Sequence, residues 1–160
     1  MLMIVAISGC TSVPNTANTK TYSNNSIGIS FQYPPDWNIY QKETHTNWNS
    51  WSENNKTASD VAVFVEKGNT DLETRKNITL DYINSYNSDF GGSIRQNQIK
   101  IAGGTGYRID ASLNETNGTI YQSHMFFVKN DTMYTFLFTT KSLTAIESNI
   151  NTIVNSFQTT

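Results

Sequence analysis

The stretch from residue 98 to residue 140 reads QIKIAGGTGYRIDASLNETNGTIYQSHMFFVKNDTMYTFLFTT and decides the fold. From Tyr107 to Leu113 apolar and polar residues alternate, which is the period of a strand with one buried face. The clusters at 114–118 and 129–131 are rich in Asn, Asp and Gly, residues that favour turns between strands. We therefore expect an antiparallel meander of about four strands in this stretch.

Two further strand-forming stretches precede the meander. In GISFQYPPDWNIY (28–40), apolar residues occupy every second position from Ile29 to Tyr33, until two prolines interrupt the ladder. Trp37 follows the prolines and is expected to be a large buried anchor of the core. The run DVAVFVEK (60–67) is denser in β-branched residues and predicts a strand buried on both faces.

Two helices are predicted around these strands. The first lies near residues 79–90, with Thr79 as its N-cap and Gly91 at its end. The second follows Ser142, a predicted N-cap, and carries an amphipathic stripe made of Leu143, Ile146, Ile150, Ile153, Val154 and Phe157. This order predicts an α+β fold around a central antiparallel sheet, with one helix in mid-chain and one amphipathic helix at the C-terminus.

The composition fits a single globular domain. The chain has 160 residues, of which 37% are hydrophobic and 12% aromatic, so its core is expected to contain few but large side chains. Charged residues make up only 15%, and the net charge is −2. Nucleic-acid binding normally needs a clustered basic face, so we expect no nucleic-acid partner.

The first ten residues end at the only cysteine of the chain. Residues 1–7, MLMIVAI, are wholly apolar but far short of the ~20 residues that span a bilayer, and they match the end of a secretory signal. The sequence ISGC at 7–10 resembles a lipobox, in which small residues precede a cysteine that becomes lipidated after cleavage. A positively charged segment is missing before it. We therefore expect translation to start upstream of Met1, or the signal to be degenerate.

The residues after Cys10 support this interpretation. TSVPNTANTKTYSNNS is polar and has no apolar periodicity, which is typical of a flexible tether. A buried strand or helix with an incidental cysteine is the disfavoured alternative. We predict a signal-peptide remnant at 1–9, a lipidated Cys10 with its tether at 10–19, and a folded domain at 20–160. The protein is then extracytoplasmic and anchored to the cell membrane by its lipid.

Export also fits the six N-x-[ST] sequons of the chain, which are candidate N-glycosylation sites. They lie at Asn24, Asn55, Asn77, Asn114, Asn117 and Asn130. A chain this rich in Asn and Thr contains several sequons by chance, so they support export only weakly.

Three motifs in order resemble the PsbP-like family. FQYPPDW (31–37) resembles its F-x-Y-P-x-x-W opening, GGTGYRI (103–109) its glycine turn before a central strand, and IVNSF (153–157) its closing I-x-x-S-F helix end. The resemblance covers roughly residues 20–158 and implies an αβα sandwich. Short members with a lipobox occur in bacteria and methanogenic archaea that lack photosystem II, so the resemblance implies the fold more than a photosynthetic role. It implies no binding residues for this chain.

Residues that could carry catalysis or bind a metal are few. Glu43 and His45 lie two positions apart, and with His124 they make a metal contact conceivable, but no established metal-ligand spacing supports it. No G-x-S-x-G elbow is present, so we expect no enzyme activity, no metal and no cofactor. The glycines at 103–106 are no phosphate loop, because a strand follows them. Gly103 and Gly104 are instead expected to supply the positive φ of a hairpin.

Trp48 and Trp51 lie in a polar segment that reads as irregular. Exposed indoles beside Asn and Ser can stack on sugars or peptides, whereas the simpler interpretation is that the rings cover the edge of the sheet. The favoured function is a non-catalytic, lipid-anchored scaffold or accessory protein with a protein partner in the envelope. The alternative is a ligand-binding module for a glycan, peptide or small solute that uses Trp48 and Trp51.

Overall fold

The computed structural model describes residues 18–43, 48–54 and 59–159. These ranges form ten strands and two helices. In chain order the elements are β1 (Lys20–Asn24), β2 (Ile29–Tyr33), β3 (Asn38–Glu43), β4 (Trp48–Asn54), β5 (Ser59–Lys67), α1 (Leu72–Phe90), β6 (Gly92–Ile101), β7 (Gly104–Glu115), β8 (Gly118–Lys129), β9 (Thr132–Thr140), α2 (Leu143–Asn155) and β10 (Gln158–Thr159).

A seven-stranded antiparallel sheet forms the centre of the molecule, in the order β3-β4-β5-β9-β8-β7-β6. The four strands from β6 to β9 follow one another as the predicted meander. A second sheet has three strands in the order β1-β2-β10. In the central sheet, the strand β6 lies at one edge.

The two faces of the central sheet are covered by different elements. The helix α1 packs on β6, β7 and β8, where Ile83 is buried against Ile109 and Phe126. On the other face, α2 and the three-stranded sheet enclose the larger core, in which Phe136 is fully buried. Trp37 joins this larger core at 3% exposure, as predicted. The α+β class and the sandwich with a central antiparallel sheet are thus confirmed.

The end of α2 shows why the closing I-x-x-S-F motif is needed. The Ser156 hydroxyl accepts a hydrogen bond from the backbone N–H of Gln32 in β2 at 2.7 Å, and so ties the helix end to the small sheet. The next residue, Phe157, is buried and meets the rings of Phe127, Tyr134 and Phe136 edge-on at 5.1–5.7 Å between centroids. Edge-to-face contacts at this distance stabilise aromatic clusters.

The predicted start of the mid-chain helix is wrong. The helix α1 begins at Leu72, and its N-cap is Asp71, whose carboxylate accepts the N–H of Thr74 at 2.9 Å. Thr79 lies inside the helix, where its hydroxyl donates to the carbonyl of Arg75. The first two turns carry few apolar residues, so no stripe in the sequence marks them.

The predictions for α2 and for the helix ends are mostly confirmed. Ser142 is the N-cap of α2 and accepts the N–H of Ala145. Gly91 ends α1 with a positive φ. The prediction that Leu143 belongs to the buried stripe of α2 is wrong, because this side chain is 59% exposed.

The hairpin between β6 and β7 also differs in detail from its prediction. The residues with positive φ are Ala102 and Gly103, and not Gly104. The next two glycines serve close packing instead. A Cβ on Gly106 would lie 1.9 Å from the carbonyl oxygen of Phe126, and a Cβ on Gly104 would lie 2.7 Å from the ring of Phe127. These two positions therefore let β8 approach β7.

Candidate functional site: a charged groove at the sheet edge

A groove of about 720 Å³ opens on the α2 side of the central sheet, at its β6 edge. Its floor is formed by β6, β7 and β8, and its wall by the first half of α2. The side chains that matter for its chemistry are Ser93, Arg95, Arg108, Asp110, Tyr121, Leu143 and Glu147.

The antiparallel register brings the charged residues of the groove together. Arg95 in β6 lies opposite Asp110 in β7, and Asp110 lies opposite Ser123 in β8. Directly opposed residues project from the same face of a sheet, and so do residues two apart in one strand, such as Arg108 and Asp110. The polar positions of β6–β8 thus converge beside α2, which contributes Glu147.

Asp110 is the centre of a hydrogen-bonded network. Its Oδ1 accepts from Arg108 Nε at 2.7 Å and from the Ser123 hydroxyl at 2.7 Å, and its Oδ2 accepts from Arg95 Nη2 at 2.9 Å. Arg108 extends the network across the groove by donating to the carboxylate of Glu147 in α2. Two arginines and two carboxylates therefore balance one another in charge.

The network also fixes the protonation states. Burial tends to raise the pKa of Asp110, but the hydrogen bonds from Arg108, Ser123 and Arg95 outweigh it and leave this pKa below its ordinary value. Burial likewise tends to lower the pKa of Arg108, and the hydrogen bonds to Glu147 and Asp110 raise it instead. Asp110 and Arg108 are therefore held in their charged forms, which suits electrostatic recognition and not proton transfer.

The groove presents a guanidinium, a carboxylate and a large apolar side chain to solvent, and the carboxylate, that of Glu147, is 47% exposed and paired with Arg108. The side chain of Arg95 is 68% exposed, whereas those of Arg108 and Asp110 are 17% and 19% exposed. Leu143, on the helix wall, is 59% exposed. Arg108 and Asp110 thus form the nearly buried floor, and Arg95 and Leu143 are accessible groups of the kinds that bind a carboxylate and an apolar side chain.

Ser123, His124 and Asp110 do not form a nucleophile–base pair. Ser123 donates to Asp110 on the α2 side of the sheet, whereas His124 is the next residue in the strand and therefore lies on the α1 side. There its Nε2 is 3.1 Å from Gln122 Oε1, and its ring is 6.3 Å from that of Tyr82. Burial lowers the pKa of His124 to about 4.

The metal contact considered from the sequence is not assembled by the described strands. Glu43 lies in β3 and His124 in β8, and three strands separate them in the sheet. His45 lies outside the described residues. Within residues 18–43, 48–54 and 59–159, no three His, Cys, Asp or Glu side chains come together in a metal-binding arrangement. Over the same ranges, neither helix is long and apolar enough to cross a membrane.

The sequence predicted an irregular segment around the two tryptophans, and this prediction is wrong, because the segment forms a strand. Trp48 and Trp51 both lie in β4, between β3 and β5, where Trp51 is opposite Tyr40 on one side and Ala62 on the other. A role of these residues in binding stays a prediction.

The remaining predicted sites fall on several parts of the chain. Cys10 and Asn55 lie outside the described residues. Asn77 is exposed on α1, and Asn114, Asn117 and Asn130 are exposed at the hairpin turns of the meander, whereas Asn24 is half-buried at the end of β1.

The sequence analysis did not predict the groove. Its signal lay in RIDAS (108–112), where Arg108 and Asp110 share one face of a strand in a chain with only 15% charged residues. The partners Arg95 and Glu147 are 13 and 39 positions away from Arg108, and only the register of β6 and the placement of α2 bring them near.

Comparison with known proteins agrees with this architecture. The model of a family described as PsbP-like protein matches residues 7–159. Solved structures with the same fold include the Ran-binding protein Mog1p of Saccharomyces cerevisiae (TM-score 0.59, 10% identity, 89% of this chain and 95% of Mog1p covered). LpqN of Mycobacterium tuberculosis, described as involved in cell envelope biogenesis, is similar with a TM-score of 0.57 and 10% identity, with 89% of this chain and 91% of LpqN covered.

A third similar structure is longer than this chain. A protein of Bacteroides thetaiotaomicron has a TM-score of 0.59 and 12% identity over 88% of this chain, which spans only 48% of the Bacteroides protein. No protein with a curated description matches the chain by sequence. At these identities the solved structures show the fold alone.

Proposed function

Because the chain belongs to the PsbP-like protein family, we propose that it is a non-catalytic, lipid-anchored extracytoplasmic protein. It acts as an accessory or scaffolding subunit of a membrane or surface complex and binds a protein partner through its folded domain. The observation that carries this proposal is the groove, in which Arg95 and Leu143 stand exposed over a rigid ion-paired floor.

The groove supports binding in preference to chemistry. Its carboxylates are engaged by arginines, its two lining serines, Ser93 and Ser112, are hydrogen-bonded to each other, and the buried Ser123 donates to Asp110. A surface of this kind offers charge, hydrogen-bond donors and an apolar contact without an activated nucleophile. An accessory protein needs such a surface on a domain that keeps its shape, and the α2–sheet core supplies this rigidity.

The membrane anchor is supported by the sequence at 7–10. Ser8 and Gly9 are the small residues that a lipobox places before the modified cysteine, and a polar tether separates Cys10 from β1. A single acyl chain gives only reversible binding, so stable anchoring needs more than one chain or an additional contact. A partner-binding domain at the end of the tether supplies such a contact.

The names of two structural neighbours are consistent with this proposal. One is a Ran-binding protein, and the other is involved in cell envelope biogenesis. They suggest that this fold serves protein binding and envelope functions, and we extend both to this chain as parts of the proposal.

The anchor is tested by intact-mass analysis of the protein purified from its native membrane, with Cys10→Ser as the variant. A chain that begins at Cys10 with added lipid supports the proposal, and Cys10→Ser should leave the membrane fraction. A Cys10 thiol without lipid, behind an intact Met1, would contradict it.

The accessory role is tested by cross-linking in cells followed by mass spectrometry of the membrane fraction. A reproducible partner that is lost with Cys10→Ser supports the proposal. If no partner is found while a glycan, peptide or solute binds and the Trp48→Ala/Trp51→Ala variant folds but loses that binding, the ligand-binding alternative replaces it.

A further inference from the structure

The strand β6 lies at an edge of the central sheet, and among the described residues only β7 pairs with it. It is ten residues long, roughly 33 Å at the rise of an extended chain, and pairs with β7 on one side only. Within residues 18–43, 48–54 and 59–159, no strand pairs with its outer side. Every second residue of such a strand directs its N–H and C=O away from its neighbour, which is a template for an added strand.

The hydrogen bonds identify which residues face outward. The backbone N–H of Ser93 points to β7, where Ser112 Oγ accepts it at 3.0 Å, and the carbonyl of Gly91 accepts the N–H of Asn114. Because directions alternate along a strand, the N–H of Gln96 points away from β7. The β6 residues from Gln96 to Gln98 are exposed.

The charged groove opens at this same edge. Ser93, Ile94 and Arg95 of β6 line it, and Leu143 and Glu147 of α2 face them. A strand added to β6 would send alternate side chains to the α2 side of the sheet, where they meet the groove. Its main chain would pair with β6, while its side chains would meet Arg95 and Leu143.

The charges of the edge strand favour one kind of occupant. The carboxylates of the groove are already engaged, Asp110 by Arg95 and Arg108 and Glu147 by Arg108, so the cations of β6 are the exposed charges closest to an added strand. The strand β6, GSIRQNQIKI, carries Arg95 and Lys100 and no acidic residue. A second copy of β6 would therefore bring only like charges together. The N-terminal part of this chain does not complement it either, because residues 1–35 contain no Asp or Glu. An acidic strand from another protein supplies what neither of these segments has.

We infer that β6 and the groove bind an extended, acidic segment of a partner protein by strand addition. A Glu or Asp of that segment pairs with the exposed guanidinium of Arg95, and an apolar side chain packs on Leu143. Main-chain hydrogen bonds give the affinity, and the two side-chain contacts give the specificity. This inference rests on the proposed function, because it names the kind of partner and the surface that binds it.

The test uses a phage-displayed library of random twelve-residue peptides, selected on the full chain carrying Cys10→Ser so that no lipid is attached. The selected peptides should contain β-branched residues around an Asp or Glu. Resynthesised peptides should bind Arg95→Gln at least about tenfold more weakly, because a charge-assisted pair is lost. The matched control Lys67→Gln removes an exposed positive charge in β5, which three strands separate from β6, and should bind as the unmodified chain does.

The strand addition itself is tested at Gln96. Gln96→Pro removes one outward N–H and should abolish binding, whereas Gln96→Thr keeps that N–H and should retain it. Thermal unfolding shows whether the proline variant is folded. Peptides N-methylated on alternate residues give the same test without any change in the protein: methylation on the edge that pairs should abolish binding, and methylation on the other edge should not.

Three results of the peptide experiments would overturn the inference. They are selected peptides that lack a carboxylate, peptides that bind Gln96→Pro normally, and no enrichment of any peptide. A dimer of this chain that Gln96→Pro disrupts would also overturn it, because a second copy then occupies the edge. If a partner in the membrane is cross-linked equally well to Gln96→Pro, the proposed function stands and this inference fails. If the peptides bind as stated but no partner exists in cells, the proposed accessory function fails while the inference about β6 stands.

Discussion

Arg95 and Asp110 face each other across β6 and β7, with Nη2 and Oδ2 2.9 Å apart, yet they differ sharply in exposure at 68% and 19%. The carboxylate belongs to the buried floor of the groove, and the guanidinium reaches solvent. The same ion pair thus joins a structural residue to one that is available for recognition. Substitutions on its two sides should therefore have different consequences.

Asp110→Asn should destabilise the protein, by about 2 kcal/mol, because the nearly buried Arg108 then loses a charged partner. Arg95→Gln is the matched control and should cost less than about 0.5 kcal/mol, since exposed ion pairs contribute little. Urea unfolding followed by circular dichroism measures both. Equal losses of unfolding free energy for the two variants would show that Asp110 is not the centre of the network.

His124 should make the stability depend on pH. Burial lowers its folded pKa to about 4 from 6.5, so the unfolded chain binds the proton first. The contribution of His124 to the free energy of unfolding is fully present above pH 6.5 and falls as the pH drops from 6.5 towards 4. Over this range the loss amounts to about 3 kcal/mol. The difference in unfolding free energy between the unmodified chain and His124→Gln, measured from pH 7.5 to 4.5, should shrink accordingly. A difference that does not change with pH would contradict the buried neutral imidazole.

Gly106→Ala should destabilise the chain by about 2–3 kcal/mol, because the new methyl group would lie 1.9 Å from the carbonyl oxygen of Phe126 and force β7 and β8 apart. Gly103→Asn is the control at the nearby turn, where a Cβ meets nothing within 4 Å and φ is +84°. Asparagine tolerates this conformation, so the cost there should stay below about 1 kcal/mol. Thermal unfolding of both variants decides whether close packing or turn geometry selects glycine at each position.

The corrected start of α1 predicts that Asp71→Ala lowers the free energy of unfolding, because Thr74 loses the acceptor of its N–H. Asp81→Ala, an exposed change within the same helix, should cost less than about 0.5 kcal/mol. Chemical denaturation measures both variants. A larger loss of unfolding free energy for Asp81→Ala than for Asp71→Ala would instead favour a helix that begins near residue 79.

Much of the fold could be predicted from the sequence, because its signals are local. The alternation in YRIDASL, the turn clusters and the stripe of α2 each need only neighbouring residues, and the structure confirms the meander and the second helix. The start of α1 was missed because its first turns are polar. The exposure of Leu143 could not be predicted, because helical periodicity does not show where the sheet surface under α2 ends.

The site was harder to predict, since it depends on contacts between distant segments. Arg108 and Asp110 are close in sequence, but their partners come from β6, β8 and α2. A sequence pattern gives the face of a strand and not its neighbour across the sheet. Trp48 and Trp51 are two of the three tryptophans of the chain and lie in a polar stretch, which predicted an irregular segment, but that stretch forms an inner strand of the sheet.

The most direct test of the account is site-specific photo-cross-linking in living cells, with a benzophenone amino acid at position 143 in the groove. Position 81, exposed on α1 at the opposite face of the sheet, is the control. The account predicts one discrete cross-linked partner from position 143, absent from position 81 and lost when Cys10→Ser removes the anchor. Equal cross-linking from both positions, or none from position 143 in cells that contain the anchored protein, would contradict it.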